Sequence, residues 1–390
     1  MVTRTEYTLG EDRAFYAYHS NNPAVKIEDD NPLHVHWDAH LTDPRKRDCL
    51  KVIALIFWNA LSILIPIIGL IRLGLYCATR WSLLPAMWES SQSRNRFFEM
   101  FTNYPKFILS SEKHDVVRDL VGLPRYRAEE HFVYTPDGVK LSIKVFRCDS
   151  KNGPVPAHLY FPGNSQIAGP LDNPMMDQCI ENHYHGHFVS FDYRGVGDSR
   201  GRMDKIQDLV IDGYTVARWI EEILQSPPDQ IHFYGFSLGG AIATETKALN
   251  PEWSGSLVSD RSFSSLAEEV RALVADLFGC LWIGRLVATI VRNQGHRLNP
   301  GEKAPSLQGK VIVLHHPEDP IIPPRAQLSA SLGDDEEHEY TKISLDGRLK
   351  ATRDDMEDPL DWNPHVIGSR ASVMHQIGEI IFPPVSDDEA

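Results

Sequence analysis

The chain has 390 residues, of which 42% are hydrophobic, so it can bury one large core and a small appended unit. Its formal net charge of -14 at pH 7 disfavours nucleic-acid binding, because that function needs a concentrated basic face. The five cysteines are scattered and lack the close Cys-x-x-Cys spacing of zinc sites and redox motifs. We therefore expect structural thiols in a reducing compartment, and neither a metal nor a cofactor.

Four regions follow one another along the chain. Residues 1–48 form a polar tail, with acidic residues and histidines where the apolar stretch of a cleavable signal peptide would lie. Residues 49–80 are a hydrophobic, membrane-associated helix or hairpin, and 81–127 are an amphipathic helical connector. A catalytic domain is predicted over 128–384. We expect no secretion by the general route.

The apolar segment contains twenty residues without a formal charge, from Val52 to Ile71, which is the length that crosses a bilayer as a helix. Apolar character continues to residue 78. A single span is one interpretation, and a re-entrant hairpin folded at Pro66 and Gly69 is another. Basic residues flank the segment on both sides, which favours the hairpin. A soluble helical hairpin packed under the catalytic domain is the third interpretation.

After residue 127, short apolar runs alternate with longer helical patterns, as is typical of strand–helix–strand units. Two runs flank the turn triplet Pro136-Asp137-Gly138 and predict an antiparallel hairpin over 130–148. Further strands are predicted at 157–161, 187–191, 230–234, 255–259, 310–315 and 339–345. Helical patterns lie at about 172–184, 205–225, 238–249, 265–293, 325–332 and 369–382. The fold class is therefore α/β, with an eight-stranded, mostly parallel sheet and helices on both faces.

A Gly-x-Ser-x-Gly pattern occurs at Gly235-Phe236-Ser237-Leu238-Gly239, between the strand-like run QIHFY and the helix-forming run GGAIATETKAL. A sharp strand-to-helix turn of this kind exposes its serine hydroxyl, and flanking glycines avoid collisions with the strand and the helix. Ser237 is therefore the candidate nucleophile. The alternative is a tight turn with an unreactive hydroxyl.

A serine nucleophile needs a histidine base and a carboxylate that orients it. Asp319 follows the apolar strand KVIVLH in the loop PEDPIIP, where it would reach the active-site rim; Glu318 is the alternative. The order serine, acid, histidine leaves His338, His365 and His375. We select His365, in the loop DWNPHVIG, since His338 begins a strand and His375 lies in the last helical pattern. His375 is the alternative base.

The tetrahedral intermediate of acyl transfer also needs backbone N–H donors. One comes from the residue after the nucleophile, here Leu238, and a second comes from the loop after the third strand of the domain. In the loop YFPGNS, Gly163 permits a tight turn and Asn164 is the predicted second donor.

The phrases FPGNS, FDYRGVGDSRG, GFSLGG and HPEDPIIP resemble the abhydrolase-domain branch of the serine α/β-hydrolase superfamily, over about 128–382. The resemblance implies the α/β-hydrolase fold and a helical lid at about 265–300. It also implies that Asp192 to Ser199 form a structural part of the rim, so Asp198 and Ser199 are not assigned to the triad. Pro162 stands where many members of the family carry histidine.

These features predict a serine hydrolase that cleaves an ester or thioester. The apolar segment and the apolar lid favour a lipid or acylated substrate: a lysophospholipid, an acylglycerol or an acylated protein. The catalytic domain is expected on the cytoplasmic side of a membrane. The chain also resembles uncharacterised hydrolases of intracellular bacterial pathogens, which implies a secreted effector. The alternatives are a catalytically silent, membrane-docked binding module and a serine peptidase.

Overall fold

One sheet runs through the part of the chain that the computed structural model describes. That part comprises residues 4–9, 15–18, 25–26, 126–148, 154–164, 166, 168, 186–333, 340–350, 363–365, 367 and 369–381. The predicted apolar segment and connector, 49–80 and 81–127, lie outside it. Among the helices within these described ranges, none is both long and apolar enough to span a bilayer.

The sheet has eleven strands in the order β11-β10-β9-β8-β6-β7-β5-β4-β1-β2-β3. Their bounds are β1 Arg4–Leu9, β2 Phe15–Tyr18, β3 Val25–Lys26, β4 Tyr126–Tyr134, β5 Lys140–Cys148, β6 Ala157–Phe161, β7 His187–Phe191, β8 Ile231–Phe236, β9 Leu257–Asp260, β10 Val311–His315 and β11 Tyr340–Ser344. Strands β6 to β11 are parallel to their neighbours within this group, whereas β4 and β5 form an antiparallel hairpin. The eight predicted strands are confirmed as β4 to β11.

Strands β1 to β3 extend the sheet within the segment predicted as a polar tail. Strand β1 pairs with β4 in parallel, and β2 and β3 continue as an antiparallel edge. These short strands were not predicted from the sequence, because the long polar segment around them carries no sustained apolar run.

Helices cover both faces of the sheet. They are α1 Gln207–Ile223, α2 Leu238–Lys247, α3 Leu266–Phe278, α4 Leu281–Asn293, α5 Pro300–Lys303, α6 Leu328–Ser331 and α7 Ala371–Ile381. Alternate residues of β6 enter different cores: Leu159 packs in the core that contains residues of α1 and α2, and Tyr160 packs in the core that contains residues of α7. This explains why β6 and β7 are buried along their whole length, as expected for parallel strands covered on both faces.

The helical pattern over 265–293 is two helices rather than one. Helix α3 ends at Gly279, which adopts the left-handed conformation with φ 61° that commonly terminates helices. Cys280 is extended, and α4 begins at the next residue. Helices α3 and α4 therefore form a hairpin, which we call the helical hairpin.

Gly213 is the point at which α1 approaches both β6 and α2. A Cβ there would lie 2.5 Å from Phe161 Cε1 and 2.7 Å from Thr246 Oγ1. Alanine normally stabilises a helix interior relative to glycine, and this gain opposes the destabilising effect of the two close contacts. Because the core is close-packed, we predict that Gly213→Ala lowers the free energy of unfolding by roughly 1–3 kcal/mol in urea denaturation. An equal or higher free energy of unfolding would contradict this packing.

Candidate active site

Ser237 occupies a sharp turn between β8 and α2, residues 235–239, which we call the elbow. Its φ of 53° and ψ of -120° lie outside the regions that non-glycine residues favour, at a cost of roughly 1–3 kcal/mol. The surrounding backbone holds this conformation: the Ser237 N–H donates to the Asp260 carbonyl at 2.8 Å, and the Gly240 N–H donates to the Ser237 carbonyl at 3.0 Å. The turn presents the serine side chain at the end of the strand.

Two glycines make this turn possible. A Cβ on Gly235 would lie 2.3 Å from the Gly239 carbonyl oxygen, and a Cβ on Gly239 would lie 2.1 Å from the Phe161 carbonyl oxygen. Real Cβ atoms do not approach backbone oxygens so closely. The spacing seen in the sequence therefore has the predicted steric cause.

Ser237, His365 and Asp319 lie together and form a continuous chain of hydrogen bonds. His365 Nε2 is 2.9 Å from Ser237 Oγ, and His365 Nδ1 is 2.7 Å from Asp319 Oδ2. All three side chains are buried. Asp319 Oδ1 accepts hydrogen bonds from the backbone N–H groups of Ile321 and Ile322, both at 2.9 Å. The carboxylate is thus held in one orientation toward the imidazole.

The two alternative residues that the structure describes lie elsewhere. Glu318 is exposed beside Asp319. His375 lies on the outer face of α7, where its Nε2 is 3.3 Å from Glu379 Oε1. The third histidine considered, His338, lies outside the described residues.

Arg261 fixes the loop that carries His365. Its Nη1 donates to the Pro364 carbonyl at 2.8 Å and to the Ile367 carbonyl at 2.6 Å, so one guanidinium nitrogen binds the chain on both sides of the histidine. Its Nε and Nη2 donate to the two carboxylate oxygens of Asp260 at 2.7 and 3.0 Å. The loop is therefore attached to the carboxyl end of β9.

A neighbouring carboxylate neutralises the charge of the same arginine, and its guanidinium packs against an aromatic ring. Asp260 also accepts a hydrogen bond from the Tyr234 hydroxyl at 2.9 Å. Burial opposes the charge of Arg261, but the adjacent Asp260 carboxylate raises its pKa above the usual value, so the guanidinium stays charged. The Phe236 ring lies 5.0 Å from the guanidinium and 5.2 Å from the His365 ring. The contacts of Arg261 were not predicted; the only sequence signal was the position of Asp260-Arg261 directly after a strand.

The two predicted N–H donors belong to two different segments of the chain. Leu238 is the first residue of α2, so its N–H is one of those that have no partner within the helix. Asn164 lies in the turn after β6 and is exposed. That turn passes close to the elbow, since a Cβ on Gly163 would lie 2.7 Å from Phe236 Cδ1. Gln166 Oε1 holds the turn by accepting a hydrogen bond from the Gly163 N–H at 2.7 Å.

The segment from Asp192 to Ser199 forms part of the surrounding framework. Ser199 Oγ donates to the Asp192 carbonyl at 2.6 Å and accepts from the Ser142 N–H at 2.8 Å, which ties the segment to β5. Arg194 in the same segment pairs with the buried Asp212 of α1. These contacts give Ser199 and Arg194 structural roles, and neither residue needs a role in the chemistry to explain its position. Within the described residues, no cluster of three or more His, Cys, Asp or Glu side chains that could hold a metal ion is found.

A family model described as the alpha/beta hydrolase fold matches residues 161–289. The matched stretch contains the turn at Ser237 and the strands on either side of it. The chain has the α/β-hydrolase fold. The predicted fold class and the resemblance to this superfamily are therefore confirmed.

Relatives that match this chain in sequence include enzymes named as lipases. Lysophosphatidylserine lipase ABHD12 of Gallus gallus is 25% identical over 179 residues, which are 43% of this chain and 44% of that protein. The protein of the same name from Bos taurus is 24% identical over 186 residues, 45% of this chain and 44% of that protein. Uncharacterized protein R595 of Acanthamoeba polyphaga mimivirus is 28% identical over 204 residues, 50% of this chain and 66% of that protein. The chain thus spans less than half the length of the two lipases.

Two esterases are among the solved structures that align with part of this chain. Acetyl xylan esterase 1 from Thermoanaerobacterium sp. JW/SL YS485 aligns with a TM-score of 0.44 and 18% identity, over 57% of this chain and 77% of that one. The esterase Pf2001 of Pyrococcus furiosus aligns with a TM-score of 0.44 and 16% identity, over 56% of this chain and 81% of that one.

Glu269 is a buried carboxyl group on α3. Burial raises its pKa to about 9, and the nearby charges of Asp319 and Asp276 act in the same direction. A folded-state pKa above the unfolded value means that folding favours the protonated carboxyl. This contribution to stability is complete below the ordinary value of 4.5 and is lost as the pH rises toward about 9.

We predict that Glu269→Gln, which mimics the protonated carboxyl, reduces the decline in the free energy of unfolding as the pH rises from 4.5 to about 9. Chemical denaturation at a series of pH values measures this. Glu268→Gln, on a half-exposed neighbour in the same helical turn, is the matched control and should retain the decline. An identical pH dependence of stability in wild type and Glu269→Gln would contradict the prediction.

Proposed function

We propose that the protein is a serine hydrolase that cleaves an acyl ester or thioester through Ser237, His365 and Asp319. The observation that supports it is the hydrogen-bonded chain from Ser237 Oγ through the His365 ring to Asp319, at 2.9 and 2.7 Å. A serine that is only structural needs no such arrangement. The strained backbone of Ser237 adds support, because strain of this kind occurs where a side chain must be presented to a substrate.

The geometry supports a two-stage reaction. Ser237 Oγ attacks the acyl carbonyl carbon while its proton passes to His365 Nε2. Collapse of the tetrahedral intermediate breaks the bond to the leaving alcohol or thiol, which takes the proton from Nε2. Water then attacks the acyl-enzyme, again giving its proton to Nε2, and Ser237 is released with that proton. Asp319 accepts the Nδ1–H bond throughout and stabilises the imidazolium in both stages.

The oxyanion of each tetrahedral intermediate needs preorganised donors. We assign this role to the backbone N–H groups of Leu238 and Asn164. Leu238 begins α2, so its N–H also lies at the positive end of the helix dipole. The contact between Gly163 and Phe236 keeps the second loop close to the elbow.

A lipid ester is the substrate class that the chain supports best. Relatives named as lysophosphatidylserine lipases are 24–25% identical to this chain over 43–45% of its length. The helical hairpin beside the site carries apolar side chains, which suits an acyl chain. Lysophospholipids are therefore the first substrates to test, followed by acylglycerols and acylated proteins. Membrane association through residues 52–78 and a cytoplasmic catalytic domain complete the proposal.

Removal of any member of the proposed triad should abolish turnover. We predict that Ser237→Ala, His365→Ala and Asp319→Asn each lower kcat/KM by about 10⁴-fold or more on acyl esters of graded chain length. His375→Ala is the matched histidine control and should keep wild-type activity, because this side chain lies on the outer face of α7. Full activity of Ser237→Ala would show that hydrolysis does not use Ser237, and a wild-type protein without turnover on any of these esters would favour the binding module.

Arg261 should act on the rate by positioning His365. Arg261→Lys keeps the positive charge but cannot bind Asp260 and both carbonyls at once. We predict a fall in kcat of about 10- to 100-fold with little change in KM, because displacement of a catalytic group by about 1 Å costs that much. Arg202→Lys, at an exposed site, is the control. Equal kcat values for Arg261→Lys and Arg202→Lys in steady-state kinetics would contradict a positioning role for Arg261.

A further inference from the structure

The helical hairpin has an unusual exposed surface. Five large hydrophobic side chains in the described part of the chain are exposed, at 36–65% of their full area, and all five lie on this hairpin. We call them the apolar tip: Leu273, Phe278, Leu281, Trp282 and Leu286. Clustered apolar side chains of this size mark an interaction site, whereas isolated ones do not.

The hairpin is a preformed element. A Cβ on Gly284 would lie 2.3 Å from the Arg271 carbonyl oxygen, so α3 and α4 are in direct backbone contact. The Ser265 hydroxyl caps α3 by accepting from the Glu268 N–H at 3.1 Å. Arg325 attaches α3 to the loop after β10, through the Ala272 carbonyl at 3.0 Å. The packing of α3 against α4, the cap at Ser265 and the contact with Arg325 therefore hold the apolar tip in place within the chain itself.

The outward face of α4 combines apolar and basic residues. Gly284, Ala288 and Val291 are the buried residues of this helix, whereas Arg285 and Arg292 are exposed on the same side as Trp282 and Leu286. Helix α4 contains no acidic residue. In a chain of net charge -14, this basic face is complementary to an anionic surface.

The acidic residues near the tip do not cancel this charge. Glu268 pairs with Arg271, and Asp276 pairs with Arg325 at 2.5 Å. The remaining carboxyl of α3, Glu269, is buried. The exposed basic groups of α4 thus face solvent beside an apolar surface, which is the pattern of a helix that binds at the interface of a membrane.

We propose that the apolar tip docks onto a bilayer that contains anionic lipid. Trp282 enters the boundary between headgroups and acyl chains, and Arg285 and Arg292 contact lipid phosphates. The hairpin begins six residues after Asp260, at the end of β9 beside Ser237, so docking attaches to the bilayer an element that leads directly to the site. The docking itself stands on the hairpin alone, whereas its use in delivering a lipid ester rests on the proposed function.

The first test measures the proximity of Trp282 to lipid. The full chain is mixed with vesicles of phosphatidylcholine, or of phosphatidylcholine with phosphatidylserine, each containing a dansyl-labelled lipid. Energy transfer is compared between wild type and Trp282→Phe, which keeps an aromatic ring but removes this donor. Since residues 49–80 are themselves predicted to bind membranes, the difference between the two proteins isolates the tip. We expect a difference with anionic vesicles and a much smaller one with phosphatidylcholine alone.

The second test reverses the charge of the basic face. The double variant Arg285→Glu, Arg292→Glu should need at least tenfold more anionic lipid to reach half of the Trp282 signal, because each basic group near an anionic surface contributes about 1 kcal/mol. Arg202→Glu, an arginine that is 73% exposed outside the hairpin, is the control and should behave as wild type. Unchanged thermal unfolding of both variants shows that the folded chain is being compared.

Each outcome bears on one claim. No Trp282 signal, or equal signals on both vesicles, overturns the docking proposal, as does a dimer in buffer that Trp282→Ser and Leu286→Ser abolish. Hydrolysis of a soluble short-chain ester, measured on the same samples, reports the proposed function independently. Docking without hydrolysis would contradict the proposed hydrolase function and support the membrane-docking surface. Hydrolysis without docking would support the hydrolase function and contradict the docking surface.

Discussion

Close backbone contact around the serine turn is the constraint on which the site depends. At Gly235 and Gly239 the strand, the turn and the helix approach so closely that a Cβ would meet a carbonyl oxygen at 2.3 and 2.1 Å. Within this turn Ser237 has a positive φ, and its Oγ lies 2.9 Å from His365 Nε2. The same close approach brings the turn after β6 against the elbow. One steric condition thus sets the positions of the proposed nucleophile, Ser237, and of the proposed N–H donors.

A second, electrostatic element secures the histidine. The carbonyls of Pro364 and Ile367, on either side of the histidine, both accept hydrogen bonds from Arg261. A guanidinium can bind these carbonyls and a carboxylate together because its five donors have a fixed geometry. Asp260 supplies the compensating charge that a buried arginine needs. The catalytic histidine of the proposed mechanism is therefore held by a charged network that does not itself touch the serine hydroxyl.

The sequence predicted the elements whose signal is local. The strands β6 and β7 are mostly apolar and were placed at their observed bounds, and the turn at Ser237 was recognised from its glycines. Asp319 and His365 followed from the order that the chemistry requires, and the structure brings them to Ser237. The break at Gly279 was missed, because apolar periodicity continues across it and only the left-handed conformation ends the helix.

The contacts between residues far apart in the chain could not be predicted from the sequence. Arg261 binds carbonyls that lie more than 100 residues further along the chain, and no spacing rule encodes such a contact. Likewise, the hydrophobic residues of the helical hairpin predict a buried or lid helix equally well. Only the packing of Gly284 toward α3 shows that Trp282 faces outward.

The central claim is that Ser237 is an activated nucleophile, and covalent labelling tests it most directly. The full chain is treated with a fluorophosphonate, and the modified residue is located by peptide mass spectrometry. The account predicts a single adduct on the peptide that contains Ser237, formed much more slowly in His365→Ala and absent in Ser237→Ala. An unlabelled wild-type protein, or an adduct on another serine, would contradict it.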